Sequence, residues 1–133
     1  MGILIDSSVL INVERAGSTV SESIKGREEE EVFLSVVSAS ELLHGVYRAA
    51  DAKTKAKRLA FVEAALAAIP VLTIDLATAR SHARLWADLA QRGKMIGIHD
   101  SWLAATCLAH GLQLATRNIR EFKNVPGLDV SEW

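Results

Sequence analysis

The chain has 133 residues, about the length of one domain, with 50% apolar and 23% charged residues. Its 15 basic and 16 acidic side chains leave a net charge of −1, which excludes a coat protein built on bulk positive charge and argues against a disordered chain. Cys107 is the sole cysteine, so a disulfide framework or cysteine zinc site within one chain is excluded; no apolar run is long enough to span a membrane, and the start lacks the basic region of a secretory signal. A soluble, cytoplasmic protein of one domain, residues 1–133, is expected.

In chain order, Ile3-Leu4-Ile5 is a brief apolar run that stops at Asp6. Four successive glutamates, Glu28 to Glu31, read as a solvated segment because like charges repel. A second short run, residues 32–36, precedes Ser38-Ala39-Ser40-Glu41, which opens a helix. Leu59, Val62, Leu66 and Ile69 recur at helical steps and predict a helix over 53–69. Residues 70–74 predict a strand beginning at Pro70, and Leu76, Ala79, Ala83, Trp86 and Ala90 predict a helix over 76–92. A further helix is expected over 101–110, closed by Gly111. Strands at 112–116 and 128–130 follow.

Short, continuous apolar strands suit a sheet covered on both faces, and strands alternating with helices make an α/β fold. The expectation is a three-layer α/β/α sandwich with a mainly parallel central sheet of about five short strands. In such sheets ligands bind beyond the carboxyl ends of the strands. Three acids fall there or at helix starts: Asp6, Glu41 and Asp100. Gathered in one cleft they repel, raising their pKa values, and a hard divalent cation relieves the repulsion. Each acid also has a plain structural reading. Asp6 and Asp100 fit helix N-caps, and Ser38-x-x-Glu41 matches a capping box. Spacing leaves both readings open.

The blocks around these acids resemble the PIN-domain ribonucleases, specifically the VapC-type toxins of prokaryotic toxin–antitoxin pairs. The resemblance rests on Ile3 to Ile11, Ser35 to Gly45, Ile98 to Ala105, Leu114 to Phe122 and Val125 to Val130, in order and nearly end to end. It implies a PIN-like fold and an Mg²⁺- or Mn²⁺-dependent endoribonuclease restrained by a VapB-type antitoxin, with homodimers usual. Catalytic and metal-ligating roles carry over onto Asp6, Glu41 and Asp100. Many members place an aspartate where this chain has Asn118. A neutral oxygen there weakens a second metal site, and Glu121 is the nearest acid able to supply the missing charge.

Under that resemblance, hydrolysis uses metal-activated water and leaves a 5′-phosphate. Ser7 and Thr116 are placed to hold a carboxylate or a phosphate oxygen, or else to cap. Arg117 and Arg120 are the first choice for RNA phosphate contact; Arg48, Lys53, Lys55, Lys57 and Arg58 form a second basic segment, read mostly as a solvated helix face. His99 is singled out by its neighbour Asp100, while Cys107 reads as core. Trp86 and Leu89 fit either the core or a dimer seam. Haloacid-dehalogenase and receiver folds fit poorly, because Asp6 has no partner acid beside it. The alternative is a catalytically weak or inactive PIN-like module that binds RNA or protein.

Overall fold

A computed structural model describes residues 2–133. Five strands form one parallel sheet: β1 (Ile3–Ile5), β2 (Val32–Ser35), β3 (Val71–Leu72), β4 (Gln113–Thr116) and β5 (Val130–Glu132). The spatial order is β3-β2-β1-β4-β5. β1 pairs on one side with β2, Ile5 opposite Leu34, and on the other with β4, Ile5 opposite Ala115. The expected strand positions are therefore met, with trimmed ends. β2 stops at Ser35 because its hydroxyl caps the next helix, accepting from the Val37 N–H at 3.1 Å. β3 keeps two residues of the expected five, and β5 begins two residues late, after the Pro126-Gly127 turn.

Six helices cover the sheet: α1 (Ser7–Arg15), α2 (Val20–Ser23), α3 (Val36–Tyr47), α4 (Ala52–Ala68), α5 (Leu76–Gln91) and α6 (Ile98–His110). The periodicity placed α4 and α5 within one residue at each end. It left α1 and α2 unassigned and began α6 three residues late. Gly111 ends α6 at φ 65°, a left-handed conformation that glycine adopts without cost.

Successive residues of β1 point to opposite faces, as the pleat requires. Ile5 enters a core with Val9, Leu10, Leu42, Val46 and Val62 from α1, α3 and α4. Leu4 enters the second core with Leu85, Leu89, Leu103, Cys107 and Phe122. Leu89 is thus a core residue and not part of an exposed seam, and burial pushes the Cys107 thiol up to about 12.

α5 and α6 pair antiparallel, Thr78 meeting His110 and His82 meeting Ser101. His82 is buried, stacked on the Trp102 ring at 3.6 Å with 9° between planes, and its Nε2 lies 2.9 Å from Ser101 Oγ. Ser101 in turn donates to the Ile98 carbonyl at 2.6 Å. This clamp grips α6 on the two residues that follow Asp100. It takes the place of a side-chain cap, since the N-cap residue is Gly97. No helix among the described residues is long and apolar enough to cross a membrane.

Candidate active site

The order of the strands reverses beside β1: the chain moves outward through β2 and β3, then returns to place β4 on the other side of β1. Such a switch point opens a crevice at the carboxyl ends of the two adjacent strands. Asp6 stands at the end of β1 and Thr116 at the end of β4.

Asp6 is 5% exposed, and one oxygen of its carboxylate is held by two hydroxyls. Oδ2 accepts from Thr116 Oγ1 at 2.7 Å and from Ser8 Oγ at 2.9 Å, and Oδ1 lies 3.4 Å from Ser7 Oγ. Thr116 Oγ1 also accepts from the Asn118 N–H at 3.0 Å, and Ser8 Oγ from the Arg117 N–H at 3.1 Å. The turn after β4 is thereby tied to the start of α1. Asp6 occupies the N-cap position of α1 but its side chain makes no capping bond, so the capping reading fails.

The capping box at Ser38 fails as well. α3 begins at Val36 with Ser35 as its cap, which puts Glu41 in the second turn rather than the first. Ser38 Oγ is buried without a partner. The freed Glu41 carboxylate accepts from Ser7 Oγ at 3.3 Å and lies 3.5 Å from His99 Nδ1. Ser7 therefore bridges Asp6 and Glu41. Burial raises the Glu41 pKa first; His99 opposes the rise, and Asp6 adds to it.

Asp100 is in the first turn of α6, half-buried. Burial and then the charges of Asp6, Glu121 and Glu41 push its pKa up to about 6, with His99 giving slight relief. Fold-distant carboxylates thus share one electrostatic field at one edge of the sheet. Asn118 and Glu121 lie in and beside the 3-10 turn Ile119–Phe122, both exposed. Arg117 Nη1 donates to the Trp133 carbonyl at 2.8 Å, and Arg120 is exposed on the same turn. A cleft of about 470 Å³ is lined by residues 117–121 and Glu132.

The donors gathered here are oxygens, which suits a hard cation. Among the described residues no three His, Cys, Asp or Glu side chains stand so that they hold one ion together. A cation of the magnesium type takes one or two carboxylates and keeps several waters, and carboxylates are the donors these residues offer.

Comparison with known protein families matches the PIN domain over residues 3–128. The chain belongs to the PIN-domain family. This PIN domain is 35% identical to ribonuclease VapC1 of Rickettsia felis over 131 residues, covering 98% of this chain and 95% of that protein. VapBC-5 of Mycobacterium tuberculosis, from the VapBC family of toxin–antitoxin systems, has a crystal structure that matches at TM-score 0.74 and 30% identity, over 98% of this chain and 95% of that one. DNA-bound VapBC of Salmonella typhimurium shares the fold at TM-score 0.89, with 24% identity over 100% and 98% of the two chains.

Sequence reasoning singled out Asp6, Glu41, Asp100, Ser7 and Thr116; the PIN fold links four of them by hydrogen bonds and sets Asp100 within the charge field of Asp6 and Glu41. It passed over Ser8 as a donor to Asp6, the contact of His99 with Glu41, and the His82 clamp. Ser8 carried a legible signal, a hydroxyl two residues after a strand-end acid. The other two depend on how α3, α5 and α6 meet, which no local pattern encodes.

Proposed function

We propose that this chain is the endoribonuclease toxin of a VapBC-type pair, hydrolysing RNA phosphodiester bonds with Mg²⁺ or Mn²⁺ at Asp6, Asp100 and Glu41. The observation that carries the reading is that Ser7 lies against both Asp6 and Glu41 at the switch point of a PIN fold, with Asp100 within the charge field of both, none of the three used as a helix cap. The similarity to a protein named as a ribonuclease supplies the reaction class.

The roles follow from the contacts. Ser8 and Thr116 fix the position of Asp6 by donating to one of its carboxylate oxygens. Ser7 and His99 orient Glu41 toward the same edge. Asp100 is presented by a helix start gripped from α5. When bound, the divalent cation supplies charge neutralisation at the phosphate and acidifies an attacking water. Glu121 adds negative charge that strengthens the cation field, and Asn118 contributes a neutral oxygen at its margin. Arg117 and Arg120 hold RNA phosphate on the exposed side of the site.

The protein partner is a VapB-type antitoxin, a reading supported by the likeness to VapBC-5. A guanidinium from such a partner competes with the cation for the same carboxylates. Homodimer formation and action in the cytoplasm, where the RNA is, complete the reading; light scattering checks the first. The test of the function is RNA cleavage with and without Mg²⁺ by wild type, Asp6→Ala and Asp100→Asn. Expected are 5′-phosphate and 3′-hydroxyl ends from wild type alone. A 2′,3′-cyclic phosphate product overturns hydrolysis by water and assigns the attack to the ribose hydroxyl.

A further inference from the structure

A second, larger cleft of about 550 Å³ opens among α1, α3 and α4 and is continuous with the acids, because Glu41 and His99 belong to its lining. Resting on the ribonuclease reading, we propose that this cleft is a subsite for single-stranded RNA, in which Arg15 and Arg48 contact phosphates beside the scissile one.

Charge argues for this first. The cleft sets Arg15, Arg48 and Arg58 against Glu14 and Glu41, inside a chain whose net charge is −1. Arg15 and Arg48 are exposed, and none of the ion pairs among the described residues uses either. Two guanidinium groups with open donor edges match phosphate oxygens.

Shape argues for it next. Arg58 reaches from α4 to both other walls: its Nη1 donates to the Gly45 carbonyl at 3.2 Å and its Nε lies 3.9 Å from Glu14. It fixes the width of the cleft rather than offering itself to a ligand. Gly45 lies inside α3, where glycine disfavours the helix. A Cβ built there meets no atom within 4 Å, and its φ is not in the left-handed range, so neither packing nor backbone geometry requires glycine. What the missing side chain provides is open space along the cleft wall. Phe61 contributes a half-buried ring to the lining. Cations tracking a backbone beside an aromatic ring are the usual means of holding a single strand.

The basic segment 48–58 thereby divides. Arg48 and Arg58 turn to the cleft, while Lys53, Lys55 and Lys57 do not line it.

The test is fluorescence anisotropy with a fluorescein-labelled oligouridine in EDTA, read across a salt series. Arg15→Ala plus Arg48→Ala is expected to weaken binding roughly tenfold and to lower the slope of log affinity against log salt by about 1.4. Arg15→Lys plus Arg48→Lys keeps the charge and restores the slope, which separates charge from folding. Gly45→Leu fills the cleft and weakens binding without changing the slope by that amount. If wild type binds and the double alanine variant binds equally, with the same slope, the inference is overturned and the cleft is left to a protein partner. If wild type binds no RNA in EDTA, the inference is overturned, whereas the ribonuclease reading stands or falls separately with the Mg²⁺-dependent cleavage assay.

Discussion

Asp6 and Asp100 reach the same edge of the sheet and are held in opposite ways. Asp6 is buried in a cage of hydroxyls, with two donors on one oxygen at 2.7 and 2.9 Å. Asp100 has no hydrogen bond among the causes that set its pKa, only burial and three like charges that push it up to about 6. One carboxylate is held by hydroxyls of the fold; the other lies among like charges that His99 offsets only in part. The difference shows how one site can hold two acids: strand-end donors fix one carboxylate, and a helix start presents the other among like charges, where the proposed cation would act.

The largest effect is expected from removing the strained charge. Asp100→Asn should lower RNA cleavage roughly 10²–10³-fold, measured in single-turnover assays, because it removes one of the carboxylates proposed to hold the divalent cation. The same variant should be more stable than wild type in EDTA at neutral pH. The sign follows from linkage. A carboxyl raised from 3.8 to about 6 contributes stability that is complete below pH 3.8 and lost as pH rises through 6. The Tm advantage of Asp100→Asn should therefore be full above pH 6 and shrink toward pH 4. An advantage that does not change with pH would contradict the picture of an unrelieved charge.

Breaking the satisfied side should behave differently. Thr116→Val strips the shortest donor from a buried carboxylate and should destabilise by about 1.5–3 kcal/mol, read by urea unfolding. Cleavage should fall about 10–100-fold, the usual cost of losing an outer-shell partner. Activity without stability loss would mean that Asp6 does not depend on its cage.

His82 tests how α6 presents Asp100. His82→Ala removes both the Trp102 stack and the Ser101 contact and should cost about 1–3 kcal/mol, with a smaller loss of activity than Thr116→Val. His82→Phe keeps a ring on Trp102 and should recover most of the stability. Should it recover activity fully as well, the Ser101 contact plays no part in positioning. The smallest effect belongs to the acidic run. Glu30→Gln breaks only an exposed pair with Arg27 at 3.7 Å and should stay within about 0.5 kcal/mol, with cleavage unchanged.

The legible part of this protein was its periodic part. Apolar steps of three and four located α4 and α5, and continuous apolar runs located β1, β2 and β4, because burial of one stripe or both faces leaves a direct trace in sequence. α1 was missed although Val9, Leu10 and Val13 are buried, since nine residues give too few repeats to register a period. The capping readings of Glu41 and Asp100 were wrong for a related reason. Both helices begin earlier than the serine and aspartate signals suggested, at Val36 after a serine that also ends a strand and at Ile98 after an uncapped glycine.

By itself the sequence determined an alternating α/β chain with acids at its strand ends and helix starts, and the ordered blocks around them pointed to the PIN family. Only the tertiary structure decided that Ser7 lies between Asp6 and Glu41, that His99 faces Glu41, that Arg48 and Arg58 turn toward a cleft and that Asp100 stands among like charges. The reason is physical. Periodicity and turn chemistry act over a few residues, whereas a carboxylate's charge state depends on burial and on charges that folding brings from more than thirty residues away.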